Sequence, residues 1–287
     1  MKAIFNREFN SYFNGVIGYV FSAVILIFAG IYTVATNLKG AMANFEYTIV
    51  QLCIILVIAV PILTMRSVAE ERRQKTDILL YSLPLSSAKI VLGKYFAMLA
   101  VLAFPVIVLA CYPLILASFG EVPFVTVYST LFAFFLMGST LVSMGLFVSS
   151  LTENQAFAAA LCIAVLLINY FIANLADFVP AAASASFTAF VVVVLLLGII
   201  MYLLTKNTQV SIIFTIICEL ALTGAYMIWQ AKFYGLFSAV ISRLSVFDRF
   251  YSFVTGVFDL TSVLYYISVI FIFLFLTVQS LEKRRWS

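Results

Sequence analysis

Residues 47–65 read YTIVQLCIILVIAVPILTM, and residues 66–94, which follow directly, read RSVAEERRQKTDILLYSLPLSSAKIVLGK. The first stretch has the length and apolar character of a helix that crosses a bilayer, whose ~30 Å core needs about 20 residues. The second stretch holds six of the sixteen basic residues and three of the twelve acidic residues of the chain. A membrane protein has little reason to keep so dense a charged segment between two spans unless something docks on it.

The composition of the whole chain indicates a membrane protein. Apolar residues make up 65% of the 287 residues and charged residues 10%, whereas soluble proteins average about 25% charged residues. A soluble fold could not bury so much apolar surface, so lipid must surround most side chains. No segment between the apolar runs is long enough for a separate catalytic domain. We therefore predict an all-α, polytopic membrane protein with a single transmembrane domain over residues 1–287.

Eight runs of the sequence are long and apolar enough to be transmembrane helices. They are residues 16–36, 47–65, 95–118, 124–148, 155–175, 187–205, 209–229 and 261–281. The sixth and seventh runs are separated only by Lys206-Asn207-Thr208, which predicts a tight turn at one membrane face. If that pair, residues 187–229, enters the membrane and returns without crossing, six true spans remain.

The distribution of basic residues predicts the orientation of the spans. With the N-terminus inside, twelve Lys and Arg residues lie on the cytoplasmic side and four on the outside. Cytoplasmic loops of membrane proteins carry such an excess of basic residues. We expect a multi-pass protein of the plasma membrane, in bacteria the inner membrane, with both termini in the cytoplasm.

Residues 1–15 have the pattern of a helix that lies on a membrane surface. Their aromatic side chains share one face of a helix, and their charged and amide side chains point elsewhere. The aromatic set comprises Phe5, Phe9, Tyr12 and Phe13. We predict an amphipathic helix on the cytoplasmic surface before the first span.

Residues 230–260 are predicted to lie on the outer side, and their first half is amphipathic. Its apolar residues recur with helical spacing opposite a polar face. They are Phe233, Leu236, Phe237, Val240, Ile241 and Leu244. Residues 246–259 are predicted to continue this helix as an aromatic, partly charged cap at the outer leaflet. The segment is either an interfacial anchor with an aromatic belt or a gate at the extracellular end of a transport path.

The charged stretch predicts two helices joined by a turn. Glu70 to Tyr81 is rich in helix-forming residues, and Pro84 forces the residue before it away from helical geometry. Ser86 is a suitable N-cap for a second helix that runs into the third span. The whole would project into the cytoplasm as a docking element. In the alternative interpretation its basic residues are juxtamembrane charges that hold the topology, but the interleaved acids weaken an account by lipid binding alone.

These residues carry a resemblance to a known family. The run Glu70-Glu71-Arg72-Arg73-x-x-Thr76, then Leu79-Leu80, Leu83-Pro84-Leu85-Ser86, Lys89 and Gly93-Lys94, resembles the cytoplasmic loop of permease subunits of type-2 ATP-binding-cassette exporters. The turn Leu151-Thr152-Glu153-Asn154-Gln155 and the ending Leu281-Glu282-Lys283-Arg284-Arg285-Trp286 agree with it. The likeness covers nearly the whole chain and is greatest to the bacterial branch with the gliding-motility and nitrous-oxide-reductase-maturation permeases. That family usually has glycine before the threonine, and Lys75 in this place predicts a more helical turn.

In that family the loop is the coupling helix, which fits into a cleft on a separate ATPase subunit. The resemblance implies that the loop transmits dimerisation of the ATPase to the spans. The residues that it assigns to this contact are Glu70, Glu71, Arg72, Arg73, Thr76, Leu83, Pro84, Leu85 and Ser86. It also implies that ATP and magnesium bind to a cytoplasmic ATPase dimer and that a second copy or relative of the permease completes the assembly. An extracytoplasmic accessory protein is a further candidate partner.

The chain itself lacks the sequence pattern of an ATPase or a metalloenzyme. Its only Gly-Lys pair is Gly93-Lys94. Ala88 and Tyr95 stand where G-x-x-x-x-G-K-[ST] requires glycine and serine or threonine. Histidine is absent, and the four cysteines lie scattered inside apolar runs, so no metal or disulfide pattern results. We expect no catalytic residue, cofactor or metal in this chain and no nucleic-acid partner.

Glu219 is the one acidic residue well inside a predicted span. A charged side chain at mid-bilayer costs about 2.5–3.5 kcal/mol on insertion scales, so intramembrane acids are candidates for functional sites. Glu219 therefore lies in a substrate path or permease interface, or it is a protonated or hydrogen-bonded packing residue. Its polar neighbours in the sequence are Ser211, Thr215, Thr223 and Tyr226.

Three functions fit these observations. The first is a permease subunit that exports an apolar or amphipathic substrate with a partner ATPase, since the spans offer aromatic and small residues and few polar groups. The second is a mechanotransmission subunit, which would act on an extracytoplasmic partner through residues 230–260 without transport. The third is an ion-coupled secondary carrier, but such a carrier should have internal repeats and several intramembrane charges.

Overall fold

The computed structural model describes residues 1–76, 86–178, 180–205 and 207–285. Within these ranges every regular element is a helix. The helices are α1 (Lys2–Asn14), α2 (Ile17–Tyr32), α3 (Glu46–Thr64), α4 (Ala69–Arg73), α5 (Ser87–Leu109), α6 (Tyr112–Leu116), α7 (Phe124–Leu151), α8 (Gln155–Asp177), α9 (Ala183–Thr205), α10 (Thr208–Ile228), α11 (Leu236–Leu244), α12 (Asp248–Val254) and α13 (Leu260–Arg285). A π-helix, Thr33–Leu38, continues α2, and a 3-10 helix, Gln230–Phe233, precedes α11.

All eight apolar runs predicted from the sequence fall on helices. In the described part of the chain, seven helices have the length and composition to cross a membrane, namely Ile17–Leu38, Glu46–Arg73, Ser87–Leu116, Phe124–Leu151, Gln155–Ile172, Thr208–Ile228 and Leu260–Lys283. The remaining run lies on α9, a helix of 23 residues whose described apolar stretch is Ala183–Ile199. The prediction of an all-α, polytopic membrane protein is confirmed. Its physical basis is that a helix satisfies its own backbone polar groups where no water is available.

Side chains at the turns start three of the long helices. Asn154 accepts hydrogen bonds from the backbone N–H groups of Ala156 and Phe157 at 2.9 and 3.3 Å, and α8 begins there. Asn207 caps α10 in the same way, and Asp259 caps α13. Such a cap stabilises a helix by about 1 kcal/mol, because the N–H groups of the first turn have no partner within the helix.

The chain divides into two compact units, and the first comprises Met1–Tyr170 and Arg249–Ser287. Its central helix is α7, which packs against α3, α5 and α13. Gly145 on α7 lies so close to Thr64 on α3 that an added Cβ would come within 2.9 Å of the threonine Cβ. Small residues commonly allow such close packing between membrane helices, where the hydrophobic effect gives no drive for association.

The second unit comprises Phe171–Asp248. In it α9 and α10 pack against each other as an antiparallel hairpin. At one end the hydroxyl of Ser211 donates to the carbonyl of Gly198 at 2.5 Å. At the other end the ring of Phe187 stacks on Tyr226, with centroids 4.6 Å apart. A glycine contact and an aromatic stack therefore fix the register of the two helices.

Residues 230–260 form several short helices and not the continuous one predicted. Gly235, whose φ of 64° costs glycine little, separates the 3-10 helix from α11. After α11 the backbone is extended at Ser245, whose hydroxyl accepts the N–H of Asp248 at 3.2 Å and so starts α12. The predicted continuation of the helix over residues 246–259 is wrong, because this side-chain bond offers the backbone an alternative to the helical one.

Helix α1 occupies the segment predicted as a surface helix, but its buried face and its phenylalanine face are distinct. Ile4, Glu8 and Tyr12 face the protein and are buried. Phe5, Phe9 and Phe13 form an aromatic ladder beside them, with ring centroids 5.8 and 4.9 Å apart. Tyr12, predicted on the phenylalanine face, instead donates a hydrogen bond to the carbonyl of Leu63 at 3.3 Å. The sequence pattern does not separate Tyr12 from the phenylalanines, because a tyrosine ring suits lipid and a protein core equally well.

Candidate functional site: a charged segment fastened to three helices

The charged segment, which we define as residues 66–76, is helical over a shorter range than the sequence predicts. After α4 the N–H of Lys75 donates to the carbonyl of Arg72 at 3.1 Å. The N–H of Thr76 donates to the carbonyl of Glu71 at 3.0 Å. These two bonds form a Schellman motif, which ends a helix through one left-handed residue. That residue is Lys75, with a φ of 56°.

Two predictions are therefore corrected at this turn. The helix predicted from Glu70 to Tyr81 ends at Arg73, and the turn at Lys75 is not more helical than one with glycine. Lys75 adopts the conformation that glycine adopts readily, at a cost of about 1–2 kcal/mol for a residue with a Cβ. The Schellman bonds offset this cost because they satisfy carbonyl groups at the helix end. Residues 77–85, which include the rest of that predicted helix, lie outside the described residues.

The start of α4 is fastened to the C-terminal end of α7 through Ser149. The hydroxyl oxygen of Ser149 accepts hydrogen bonds from the N–H groups of Val68 at 3.3 Å and Ala69 at 3.2 Å. The same hydroxyl lies 3.3 Å from the carbonyl of Met65, to which it donates. Ser149 is buried, so water cannot replace these bonds. A serine of another helix thus acts as the N-cap that Val68, which has no polar side chain, cannot provide.

Replacing Ser149 with alanine should loosen the start of the charged segment and leave the spans folded. The variant leaves two buried N–H groups without their acceptor, which costs about 1–2 kcal/mol. Hydrogen–deuterium exchange of the amides of residues 68–73 should become about tenfold faster. Ser150→Ala is a matched control, because the hydroxyl of Ser150 donates to Phe147 within its own helix. Unchanged exchange in Ser149→Ala would contradict the capping role.

Lys94, near the N-terminal end of α5, is almost completely buried, with 2% of its surface exposed. Its ammonium group has three N–H donors, and three acceptors surround it. They are Oε1 of Glu8 at 3.2 Å, Oε2 of Glu71 at 2.8 Å and the carbonyl of Ser67 at 2.7 Å. Lysine is almost never fully buried unless it is paired, and these three bonds replace the water that Lys94 has lost.

Arg7 closes these contacts into a ring of four alternating charges. Its Nη2 lies 2.5 Å from Oε1 of Glu8 and 2.7 Å from Oε1 of Glu71, so both cations bond to each carboxylate. Burial alone would raise the pKa of Glu8, but Lys94 and Arg7 together outweigh burial and hold that pKa below its ordinary value. This Lys94 ring (Arg7, Glu8, Glu71 and Lys94) joins α1, α4 and α5 and has no formal net charge.

Gly93 allows α1 to reach the Lys94 ring. A Cβ at Gly93 would lie 2.9 Å from Cγ2 of Ile4, so a larger residue would push α1 away from α5. Ile4 and Ile90 are buried together at this contact. Glu8 lies one turn after Ile4 on the same face of α1 and therefore comes within reach of Lys94. The Gly93-Lys94 pair, which does not fit the P-loop pattern, has a structural role in this chain.

Three of the predicted ATPase-contact residues make bonds within the chain or are buried. Both carboxylate oxygens of Glu71 are bonded in the Lys94 ring. Arg72 is buried. Glu70 forms an ion pair with Arg66 and accepts a hydrogen bond from Gln74 at 3.0 Å. These residues hold the charged segment in its conformation.

The other predicted contact residues that the structure describes are more accessible. Arg73 is exposed, and Thr76 is half-buried, with its hydroxyl 3.3 Å from the carbonyl of Glu71. Lys75, which was not among the predicted contact residues, is exposed as well. Ser86 is exposed at the N-cap position of α5, as predicted, but its side chain makes no capping hydrogen bond. Leu83, Pro84 and Leu85 lie outside the described residues. Two basic side chains therefore mark the accessible surface of the charged segment.

Glu219 lies on α10 in the second unit and is half-buried. Its Oε1 is buried and has no hydrogen-bond partner in the part of the chain that the structure describes. Thr223, predicted as a neighbour, donates to the backbone carbonyl of Glu219 at 2.6 Å and not to its carboxyl group. The assignment of Glu219 to a substrate path or to packing stays a prediction.

Sequence reasoning missed four residues of this site, namely Arg7, Glu8, Lys94 and Ser149. Glu8 carried a signal, because it is an acidic residue one turn after Ile4 and one turn before Tyr12 in an amphipathic helix. Lys94 carried another signal, because it directly precedes an apolar run, where a lone charge is unfavourable. Ser149 is one of many serines on apolar helices, and its position alone gave no signal.

The fold and the site together define a polytopic helical membrane protein with a structured charged segment between two spans. Among the described residues there is no cluster of three or more His, Cys, Asp or Glu residues that could hold a metal ion. The model of the ABC-2 family transporter protein family matches residues 29–286, and the chain belongs to this family. It is thus a permease component of an ABC transporter and not an ATPase domain. A comparison with curated proteins finds no match.

Proposed function

We propose that this permease exports an apolar or amphipathic substrate and that a separate cytoplasmic ATPase, which holds ATP and magnesium, drives it by docking on the charged segment. The observation that carries the proposal is the attachment of this segment to the core. Its start is bonded to Ser149 of α7, and its middle is bonded to Lys94 of α5. A force applied to α4 would therefore reach two membrane helices directly.

Arg73 and Lys75 are the residues that we assign to the first contact with the ATPase. Both are exposed and lie on the accessible surface of the charged segment. Opposite charges across an interface accelerate association and fix its register, so the cleft of the ATPase should be acidic. Glu71 and Arg72, which face the protein, would transmit the contact and not form it. Leu83, Pro84, Leu85 and Ser86 keep their assignment as the second part of the docking surface.

The proposed substrate class follows from the surfaces of the spans. Large apolar side chains dominate the exposed residues of the spanning helices, for example Ile212, Ile216 and Leu220 on α10. A pathway lined by such helices favours a lipid, a hydrophobic peptide or a drug-like molecule over a sugar or an ion. We place both termini and the charged segment in the cytoplasm, following the excess of basic residues there. The branch with the gliding-motility and nitrous-oxide-reductase-maturation permeases stays our preferred assignment within the family.

The proposal predicts an assembly of two permease copies, or one copy and a relative, with two ATPase subunits. The permease should copurify with a cytoplasmic ABC ATPase in detergent, and native mass spectrometry should give a 2:2 stoichiometry. In proteoliposomes the assembly should hydrolyse ATP about tenfold faster than the free ATPase, and an amphipathic fluorescent substrate should move out of the ATP-containing compartment. An ATPase variant without its P-loop lysine is the control.

Two results would contradict parts of this proposal. Transport by the permease alone along an ion gradient would show a secondary carrier. Stimulated ATP hydrolysis without movement of any tested lipid, peptide or drug would favour a mechanotransmission subunit, in which an extracytoplasmic accessory protein receives the motion of residues 230–260.

A further inference from the structure

We propose that Lys94 positions the ATPase-docking surface of the charged segment by holding Glu71 and Ser67 against α5. The inference rests on the proposed function, because it gives Lys94 a task in the contact between permease and ATPase. Lys94 is buried and cannot touch the ATPase itself. It is therefore a positioning residue, which acts through the direction in which Arg73 and Lys75 point.

The first argument is that α4 cannot hold its own orientation. It has five residues, whereas isolated helices shorter than about 12–15 residues are marginal in water. A turn at residues 65–68 separates it from α3, so contacts with other elements contribute to its orientation. The structure provides these at the start of α4 through Ser149 and on its inner face through Glu71.

The second argument is that the Lys94 ring resists rotation of α4. Glu71 is held by Lys94 at 2.8 Å and by Arg7 at 2.7 Å, so a rotation that withdrew Glu71 would break both ion pairs. Residues two positions apart lie on roughly opposite sides of a helix with 3.6 residues per turn. With Glu71 turned inward, Arg73 must point outward, where it is found exposed.

The third argument is that Lys94 contributes more than Arg7 to this constraint. Arg7 is 51% exposed, and an ion pair of an exposed residue is weakened by water and salt. Lys94 is 2% exposed and also bonds to the carbonyl of Ser67 at 2.7 Å. Loss of the buried Lys94 would leave the charges of Glu8 and Glu71 less well compensated. The two cations of the same ring therefore differ in how strongly they should control coupling.

The test compares three variants of the permease in the complete complex with its ATPase. Lys94→Met removes the buried cation, and Arg7→Met is the matched control that removes the exposed cation of the same ring. Lys94→Met/Glu71→Gln removes one charge of each sign, so the remaining Arg7 and Glu8 are balanced and the fold should be stable. The readouts are copurification of the ATPase, the melting temperature of the permease and the stimulation of ATP hydrolysis by the permease.

A positioning role predicts that Lys94→Met and the double variant both lose stimulation by about tenfold or more, while Arg7→Met loses less than about threefold. The double variant should melt near the wild-type temperature, which separates coupling from folding. Full stimulation in either Lys94 variant, or failure of the double variant to assemble, would overturn the inference, because Lys94 would then be irrelevant to coupling or required only for folding. If the wild-type permease neither bound nor stimulated the ATPase, the proposed function itself would fail.

Discussion

Replacing Gly145 with leucine should prevent the first unit from folding stably. The Cβ of any side chain at this position would come within 2.9 Å of Cβ and Cγ2 of Thr64. Thr64 cannot move aside, because it is completely buried and its hydroxyl donates to the carbonyl of Val60 at 3.0 Å. Overpacking of a close-packed core costs typically 1–3 kcal/mol, and a full leucine at a glycine contact should cost about 3 kcal/mol or more.

The effect should extend to function, because Gly145 lies between the two helices that lead into the site. α3 ends at Thr64, just before the charged segment, and Ser149, which caps α4, lies one turn after Gly145 on α7. Separation of α3 and α7 would therefore withdraw Ser149 from Val68 and Ala69. We expect both a loss of stability and a loss of coupling from this one substitution.

The melting temperature of the purified permease in detergent measures this effect. Gly145→Leu should lower it by roughly 10 °C, at about 2–4 °C per kcal/mol for a domain of this size, or prevent accumulation in the membrane. Gly30→Leu is the matched control, because a Cβ at Gly30 on α2 would meet nothing within 4 Å. Equal melting temperatures for the two variants would show that the α3–α7 contact is looser than the structure indicates.

The spans could be predicted from the sequence because the bilayer imposes one strong requirement on each of them. A run of about 20 apolar residues must be helical to satisfy its backbone groups, and this holds whatever the run packs against. The turns at Asn154 and Asn207 also depend on local sequence, since each of these residues caps the helix that directly follows it. The prediction of one continuous helix in residues 230–260 fails at Ser245. There the hydrogen bond from the N–H of Asp248 to the Ser245 hydroxyl decides between two backbone conformations.

The charged site could be predicted only in part because its contacts join distant parts of the sequence. The charge density of residues 66–76 marked the segment, but the role of each charge depends on which partner reaches it. Glu8 and Lys94 are 86 positions apart, and they meet because Gly93 lets α1 approach α5. The left-handed Lys75 was also beyond local reasoning, because helix propensity favours continuing α4 and only the bonds at its end oppose it.

Replacing both Arg73 and Lys75 with glutamate should abolish stable binding of the ATPase while the permease folds normally. Both side chains are exposed, and exposed substitutions usually change stability by less than about 0.5 kcal/mol. Each reversal turns an attraction into a repulsion of similar size at the docking surface, and like charges at an interface cost several kcal/mol. We expect the dissociation constant for the ATPase to rise by about a hundredfold or more.

Binding of the ATPase to the permease in nanodiscs measures this change, and a matched double variant separates position from net charge. Lys2→Glu/Lys39→Glu also reverses two exposed lysines, and both double variants lower the formal net charge of the chain from +4 to zero. The control should bind the ATPase within about threefold of the wild type, because neither lysine belongs to the charged segment and salt weakens the effect of exposed charges outside a direct contact. Equal loss in both double variants would mean that the ATPase responds to overall charge and not to the charged segment.

The comparison of this variant with Lys94→Met distinguishes contact from transmission. Arg73 and Lys75 are accessible, so their reversal should remove binding and stimulation together. Lys94 is buried behind Glu71, so its loss should remove stimulation while some binding persists, because the accessible charges are still present. If both variants lost binding to the same extent, Lys94 would be required for binding itself, and the proposed separation of contact from transmission would be wrong.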